Sequence, residues 1–155
     1  MLEVNQKAPN FSAVNTNGDR MSLTTHRDKN IVVLYFYPKD DTSSCTIQAN
    51  DFTKLKDSFL ACNTVVYGIS KDDNESHRNF TEKFNLTVDL LSDNDGSICD
   101  DYHTWGEKEK NGVKKMGLIR STFIIDEFGI IRYAEYGVDA KDHANKILSL
   151  VKNFK

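Results

Sequence analysis

The run Ile31-Val32-Val33-Leu34-Tyr35-Phe36-Tyr37 limits the fold of this chain more than any other segment. β-Branched, aromatic and Leu residues follow one another without a polar interruption. That is the pattern of a strand covered on both faces, not of a half-exposed one. Pro38 ends the run, because it has no N–H to give to a neighbouring strand. A second run of this kind, Thr64-Val65-Val66-Tyr67-Gly68-Ile69, follows. Between the two, Cys45 to Leu60 carries Phe52, Leu55 and Phe59 at helical spacing, with Thr42, Ser43 and Ser44 available as N-caps. Strand, helix, strand implies parallel pairing with a crossover.

The remaining elements extend that unit. Phe11–Val14 and Met21–Leu23 flank Thr16-Asn17-Gly18-Asp19, and Asn-Gly supplies the positive φ of a hairpin turn. Ser70, Asp72 and Asp73 can cap a helix whose inner face carries His77, Phe80 and Phe84. A short strand is expected near Val88–Leu91 and a short helix near Ile98–Tyr102. Glu107–Lys115 reads as an exposed hairpin or loop around Asn111-Gly112. Thr122–Ile125 and Ile130–Tyr133 flank Asp126-Glu127-Phe128-Gly129 as strand, turn, strand. A last helix, about Ala140 to Phe154, buries Ala144, Ile147, Leu148 and Val151. The order points to an α/β chain with a central mixed β-sheet flanked by helices and an N-terminal β-hairpin. A thioredoxin-like fold satisfies it, although the order alone also allows other three-layer α/β folds.

Composition narrows the function classes. A length of 155 residues suits one domain, 1–155, and 39% hydrophobic residues suffice for a core. A net charge of -3 argues against a basic nucleic-acid binder, which needs clustered positive charge. No apolar run is long enough for a bilayer. The segment Met1-Leu2-Glu3-Val4-Asn5-Gln6-Lys7 lacks the pattern of a secretory leader. The three cysteines, Cys45, Cys62 and Cys99, form neither a disulfide framework nor a CxxC pair. A common zinc site and a dithiol of the thioredoxin type are therefore not expected, and a reducing, cytoplasmic setting is.

The chemistry concentrates where the first buried strand ends and a helix begins, in Tyr37-Pro38-Lys39-Asp40-Asp41-Thr42-Ser43-Ser44-Cys45. Ligands of open α/β sheets bind at the carboxyl ends of strands. With Thr42 as N-cap, Cys45 falls in the first helical turn, near unpaired N–H groups and the positive end of the helix dipole. The difference is large: a thiol near 8.5 is a few per cent ionised at neutral pH, and one lowered to about 6 is mostly ionised. A packed, inert cysteine is the competing reading.

Pro38-x-x-x-Thr42-x-x-Cys45 resembles the active-site motif of the peroxiredoxins, thiol peroxidases of thioredoxin-like fold. Phe36-Tyr37-Pro38-Lys39-Asp40 and Arg120-Ser121-Thr122-Phe123-Ile124-Ile125-Asp126 are similar to the bacterioferritin-comigratory, or Q-type, subgroup. The likeness runs from Lys7-Ala8-Pro9 to His143-Ala144. It implies that Cys45 is the peroxidatic nucleophile, Arg120 its electrostatic partner, Thr42 a donor or acceptor for thiolate and peroxide, and Pro38 a wall of the pocket. It also implies hydrogen peroxide and organic hydroperoxides as substrates, a thioredoxin-like protein or a small thiol as reductant, and no metal, haem or flavin cofactor. A monomer or weak homodimer is expected, without nucleic-acid or membrane partners.

Two departures stand out. The subgroup usually has Thr-Pro-Gly-Cys where this chain has Thr42-Ser43-Ser44-Cys45. Many members carry a resolving cysteine five positions later, where this chain has Asn50, and others carry one in the helix around residues 77–84, where it has none. Cys99, expected to be partly exposed, and Cys62, expected to be packed, are the remaining candidates for a resolving thiol. The expectation is one-cysteine behaviour with an external reductant. The alternatives are a redox sensor or binding module without turnover and, more distantly, a cysteine hydrolase using His77, His103 or His143. In isolation, Arg120 reads better as a surface residue paired with a neighbour such as Asp126, and only the resemblance gives it a role at Cys45.

Overall fold

A computed structural model describes residues 1–154. The first buried run forms the sheet's central strand. With the N-terminal pair numbered β1 (Ser12–Val14) and β2 (Arg20–Ser22), it is β3 (Ile31–Phe36), and each of its six residues is buried. β4 (Thr64–Ser70) lies parallel beside it, with Ile31 opposite Thr64 and Phe36 opposite Ile69, and β5 (Asp89–Ser92) continues parallel beyond β4. On the other side of β3 lie β8 (Ser121–Ile125) and β9 (Ile131–Tyr136), both antiparallel to their neighbours. The five-stranded order is β5-β4-β3-β8-β9. This is a mixed sheet of thioredoxin-like type. The N-terminal hairpin forms as a separate antiparallel pair, Ser12 opposite Ser22.

Alternation along β3 builds two cores. Val32, Leu34 and Phe36 face one side, with Phe11, Ile98, Cys99 and Tyr102. Ile31, Val33 and Tyr35 face the other, with Cys45, Phe52, Phe59, Phe80 and Ile147. Each fully buried large side chain contributes about 1.5–3 kcal/mol relative to exposure. The second face is covered by α1 (Ser43–Lys54), α2 (Lys56–Ala61), α3 (Asn74–Phe84) and α5 (His143–Lys152); α4 (Ser97–Asp101) lies on the first. Phe52 of α1 stacks on Tyr35 with ring centroids 4.5 Å apart.

Several boundaries differ from the sequence reading. The helix expected from Cys45 to Leu60 is two helices, broken at Leu55, whose φ of -96° and ψ of 4° leave the helical region. Phe52 and Phe59, seven residues apart, lie in the same core on either side of the break. The last helix starts at His143 rather than Ala140, after Asp142 in the left-handed region. The charged segment is an ordered hairpin, β6 (Trp105–Lys110) and β7 (Val113–Leu118). Its turn residues Asn111 and Gly112 both have positive φ, 54° and 79°, as the two-residue hairpin turn requires. Among the described residues no helix is long and apolar enough to cross a membrane.

Candidate active site

The carboxyl end of β3 leads directly into the site. Just past the strand, the Tyr37 N–H still donates to Ile69 O at 3.0 Å, an ordinary ladder bond. Pro38 then leaves the sheet. Asp41 turns the chain with a φ of 61°, and Thr42 is extended at φ -95°, ψ 158° as the residue before α1. The helix begins in the expected place: Thr46 N–H donates to Thr42 O at 2.9 Å. The Thr42 hydroxyl makes no cap hydrogen bond and donates instead to Lys39 O at 2.9 Å. No Thr42 side-chain oxygen competes for the N–H groups of the first turn, and that turn carries Cys45.

Cys45 is 1% exposed and belongs to the core that includes Tyr35, Ala49 and Phe52. It is not packed against apolar groups alone: Arg120 Nη2 donates to its Sγ at 3.2 Å. Sheet order explains how residues 75 apart meet. β8 lies next to β3 with Ser121 opposite Phe36, so the residue before β8 emerges at the same edge as the loop after β3. The N–H groups of Gly137 and Val138 both donate to Arg120 O at 2.9 Å and fix its backbone. The alternative partner expected for Arg120 is engaged elsewhere: Asp126 pairs with Arg132 at 3.6 Å.

Gln48 completes the arrangement and is not among the residues the sequence reading singles out. Its Oε1 accepts from Arg120 Nη1 at 2.6 Å. It lies one helical turn after Cys45 on the same buried face, Cys45, Gln48, Ala49 and Phe52. A long polar side chain on an apolar helical stripe is the signal that could have found it. Because Oε1 must face the guanidinium, the amide orientation is set, and Nε2 is a buried donor with no hydrogen-bond partner among the described residues.

Among the described residues no imidazole is hydrogen-bonded to Cys45. His143 Nε2 lies 2.8 Å from Thr122 Oγ1, and burial pushes the ring down to about 4, so it is neutral near pH 7. His77 bonds Asp40. Pro38 is half-buried and lines an open groove with Lys39, Trp105, Met116 and Leu118. Asp40, Asp72 and His77 offer three metal-ligand atoms within 4.8 Å of one another, but those atoms are already joined in a hydrogen-bond network through Tyr37, Ser70 and Ser76.

The other cysteines lie apart from the site. Cys62 closes α2 and is half-buried at the amino end of β4, whereas Cys45 lies beyond the carboxyl end of the parallel β3. A strand of this length separates those ends by about 20 Å. Cys99, expected to be partly exposed, is fully buried in the core on the opposite face of the sheet. The reason is that α4 turns its Ile98 and Cys99 inward while Asp93 accepts from both of their N–H groups. Burial, helped by the Asp93 carboxylate, pushes the Cys99 thiol up to about 12.

Comparison with known proteins agrees with this geometry. Residues 4–134 match the AhpC/TSA family. The chain is 44% identical over 147 residues to a putative peroxiredoxin bcp of Helicobacter pylori, covering 95% of this chain and 96% of the relative. It is 38% identical over 152 residues to peroxiredoxin Bcp of Bacillus subtilis, covering 98% and 96%. Among solved structures, a cysteine-to-serine mutant of PrxQ from Xylella fastidiosa superposes with a TM-score of 0.92 at 28% identity, covering 99% of this chain and 98% of the other. A cysteine-to-serine mutant of peroxiredoxin Q from Xanthomonas campestris gives 0.88 at 31%, covering 94% and 92%. A sheet of thioredoxin-like order, a cysteine in the first turn after its central strand, an arginine bound to that sulfur and relatives matched almost end to end lead to one assignment: the chain belongs to the AhpC/TSA family, as a peroxiredoxin of the Bcp/PrxQ group.

Proposed function

We propose that Cys45 is the sulfur through which this thiol peroxidase reduces hydroperoxides. The 3.2 Å contact from Arg120 Nη2 to Cys45 Sγ carries the reading. The thiolate attacks one peroxide oxygen; an S–O bond forms, the O–O bond breaks, sulfur loses two electrons, and the departing alkoxide or hydroxide takes a proton to leave as alcohol or water. Negative charge moves from sulfur to the departing oxygen. Preorganised donors aimed along that path lower the barrier without reorganising. Arg120 supplies the fixed cation. Thr42 has its own proton committed to Lys39 O, so its remaining lone pair is the acceptor that orients the peroxide O–H. Gln48 holds Arg120 from behind, and its unpaired Nε2 is a further donor. Pro38 forms the wall toward the open groove.

The sulfenic acid on Cys45 is reduced by an external thiol, a thioredoxin-like protein or a small thiol. The placement of Cys62 and Cys99 supports this, since the sheet lies between Cys45 and Cys99 and its length lies between Cys45 and Cys62. Residues 1–155 act as one catalytic unit, with hydrogen peroxide and organic hydroperoxides as substrates in a reducing, cytoplasmic setting. With excess dithiothreitol, the protein should consume many equivalents of peroxide and Cys45→Ser none. Consumption that stops after one equivalent would instead support a sensor without turnover.

A further inference from the structure

At 1% exposure, Cys45 is out of reach of any thiol from outside until the first turn of α1 or the loop before it moves. What holds that loop therefore matters to the cycle. Asp40, in the middle of the loop, is 7% exposed and bonded on every side. Tyr37 OH donates to Oδ1 at 2.6 Å and Ser76 Oγ to Oδ2 at 2.8 Å. His77 Nδ1 lies 2.7 Å from Oδ2. The Asp40 N–H donates to Asp72 Oδ2 at 2.8 Å, and Ser70 Oγ donates to the same oxygen at 2.8 Å.

The fully buried His77 is the pivot. Its Nε2 faces Leu91 O at 3.2 Å; a carbonyl only accepts, so Nε2 carries a hydrogen. Its Nδ1 lies 2.7 Å from Asp40 Oδ2, whose carboxylate also accepts from Tyr37 OH and Ser76 Oγ, so ring, carboxylate and two hydroxyls form one buried hydrogen-bond cluster. The ring is thus held between two oxygen atoms, one on the loop and one on β5. Removing the ring leaves buried hydrogen-bonding groups on the loop and on β5 without a partner. Directly after Asp40, Asp41 adopts a φ of 61°, an uncommon backbone state that persists only where its surroundings enforce it. The exposed Lys83–Asp41 pair at 2.8 Å contributes little by comparison.

We propose that His77 is a positioning residue for the sulfenic-acid stage: through Asp40 it clamps loop 38–42 to α3 and sets how often oxidised Cys45 becomes reachable by an external thiol. The proposal rests on Cys45 being the oxidised sulfur. Two steps compete there. With the clamp closed, the sulfenate can attack a second hydroperoxide; a second S–O bond forms, the O–O bond breaks, and sulfinate and alcohol result. With the clamp open, a thiol attacks the sulfenic sulfur; an S–S bond forms, the S–O bond breaks, and water leaves with the thiol's proton. A second thiol then frees Cys45 as the external disulfide forms. The first attack on peroxide needs the closed form, because only there is Arg120 at the sulfur. Loosening the clamp therefore drives peroxide attack and thiol reduction in opposite directions, which general destabilisation does not.

The test is His77→Gln, with peroxide attack and reduction of the sulfenic acid by glutathione followed separately by stopped flow, and sulfinate per turnover read by intact mass. The expected result is glutathione reduction about tenfold faster, the effect of ~1.4 kcal/mol on the opening equilibrium, with less sulfinate per turnover and slower peroxide attack. Tyr102→Phe, which removes the remote hydrogen bond to Pro9 O, controls for lost global stability and should leave the partition unchanged. If His77→Gln does not fold, Ser76→Ala removes one donor to Asp40 and should shift the partition the same way, by about threefold, within the range of one hydrogen bond. Unchanged reduction and sulfinate yields, or changes matched by Tyr102→Phe, overturn the clamp. Peroxide consumption that survives Cys45→Ser overturns the reading beneath it, and the two failures are distinct.

Discussion

Replacing Arg120 by Ala removes the one cation in contact with the Cys45 sulfur among the described residues. At 3.2 Å the bare attraction between guanidinium and thiolate is about 5 kcal/mol at an effective dielectric of 20. Arg120 is only partly buried, so solvent takes over much of this on its removal. The net value of a hydrogen bond to a charged group, ~1.5–3 kcal/mol, is the better guide. Alkylation of Cys45 by iodoacetamide at neutral pH should slow, because the thiolate loses its hydrogen-bonded cation. At neutral pH the second-order rate with hydrogen peroxide should fall roughly 10- to 150-fold. The fall should exceed the loss of thiolate, because Arg120 also meets charge developing on the departing oxygen. Comparing the fall in peroxide attack with the fall in alkylation at one pH isolates that second part. Stability should drop by about 1–3 kcal/mol as well, since Gln48 Oε1 loses its donor in a buried site. Alkylation and peroxide attack both within about twofold of wild type would refute the role given to Arg120.

Three further outcomes follow from other parts of the molecule. His143 lies near 4 in the folded protein against about 6.5 unfolded, so the unfolded chain binds the proton first as pH falls. Stability from this group is present above pH 6.5 and is lost down to pH 4, by up to about 3 kcal/mol, and His143→Gln should flatten that limb in urea titrations. Cys99, pushed up to about 12, should resist alkylation at about pH 8 until denaturant is added, and Cys99→Ser and Cys62→Ser should each keep dithiothreitol-driven turnover within about twofold, as sites away from the chemistry do. Gly68→Ala places a Cβ 2.6 Å from the Tyr35 ring and 2.9 Å from Leu90, inside a central strand; a loss of about 1–3 kcal/mol is expected, and an unchanged urea midpoint would contradict the packing described.

The parts of the fold visible in the sequence are those written in local pattern. β3 and β4 show as apolar runs, α3 as a capped helix with His77 and Phe80 inward, and the Asn111-Gly112 turn as a hairpin signal. Cys45 was legible because strand, Pro, cap and helix follow one another in a single stretch. The break at Leu55 was not, since Phe52, Leu55 and Phe59 keep helical spacing across it and the apolar pattern carries no mark of the bend. Arg120 depends on β8 lying beside β3, a pairing that no local pattern encodes, so the family resemblance had to supply its role. Gln48 and the Asp40–His77 bond are long-range in the same way, joining groups 72 and 37 residues apart. Cys99 went astray because a five-residue helix is too short for periodicity to show which side faces the core.

The most direct measurement is to treat the reduced protein with one equivalent of hydrogen peroxide in the presence of dimedone and map the adduct by peptide mass under non-reducing conditions. The account predicts a single dimedone adduct on Cys45 and none on Cys62 or Cys99. An adduct on another cysteine, peroxide left unconsumed with Cys45 unmodified, or rapid quantitative formation of a disulfide from Cys45 to Cys62 or Cys99 would contradict it.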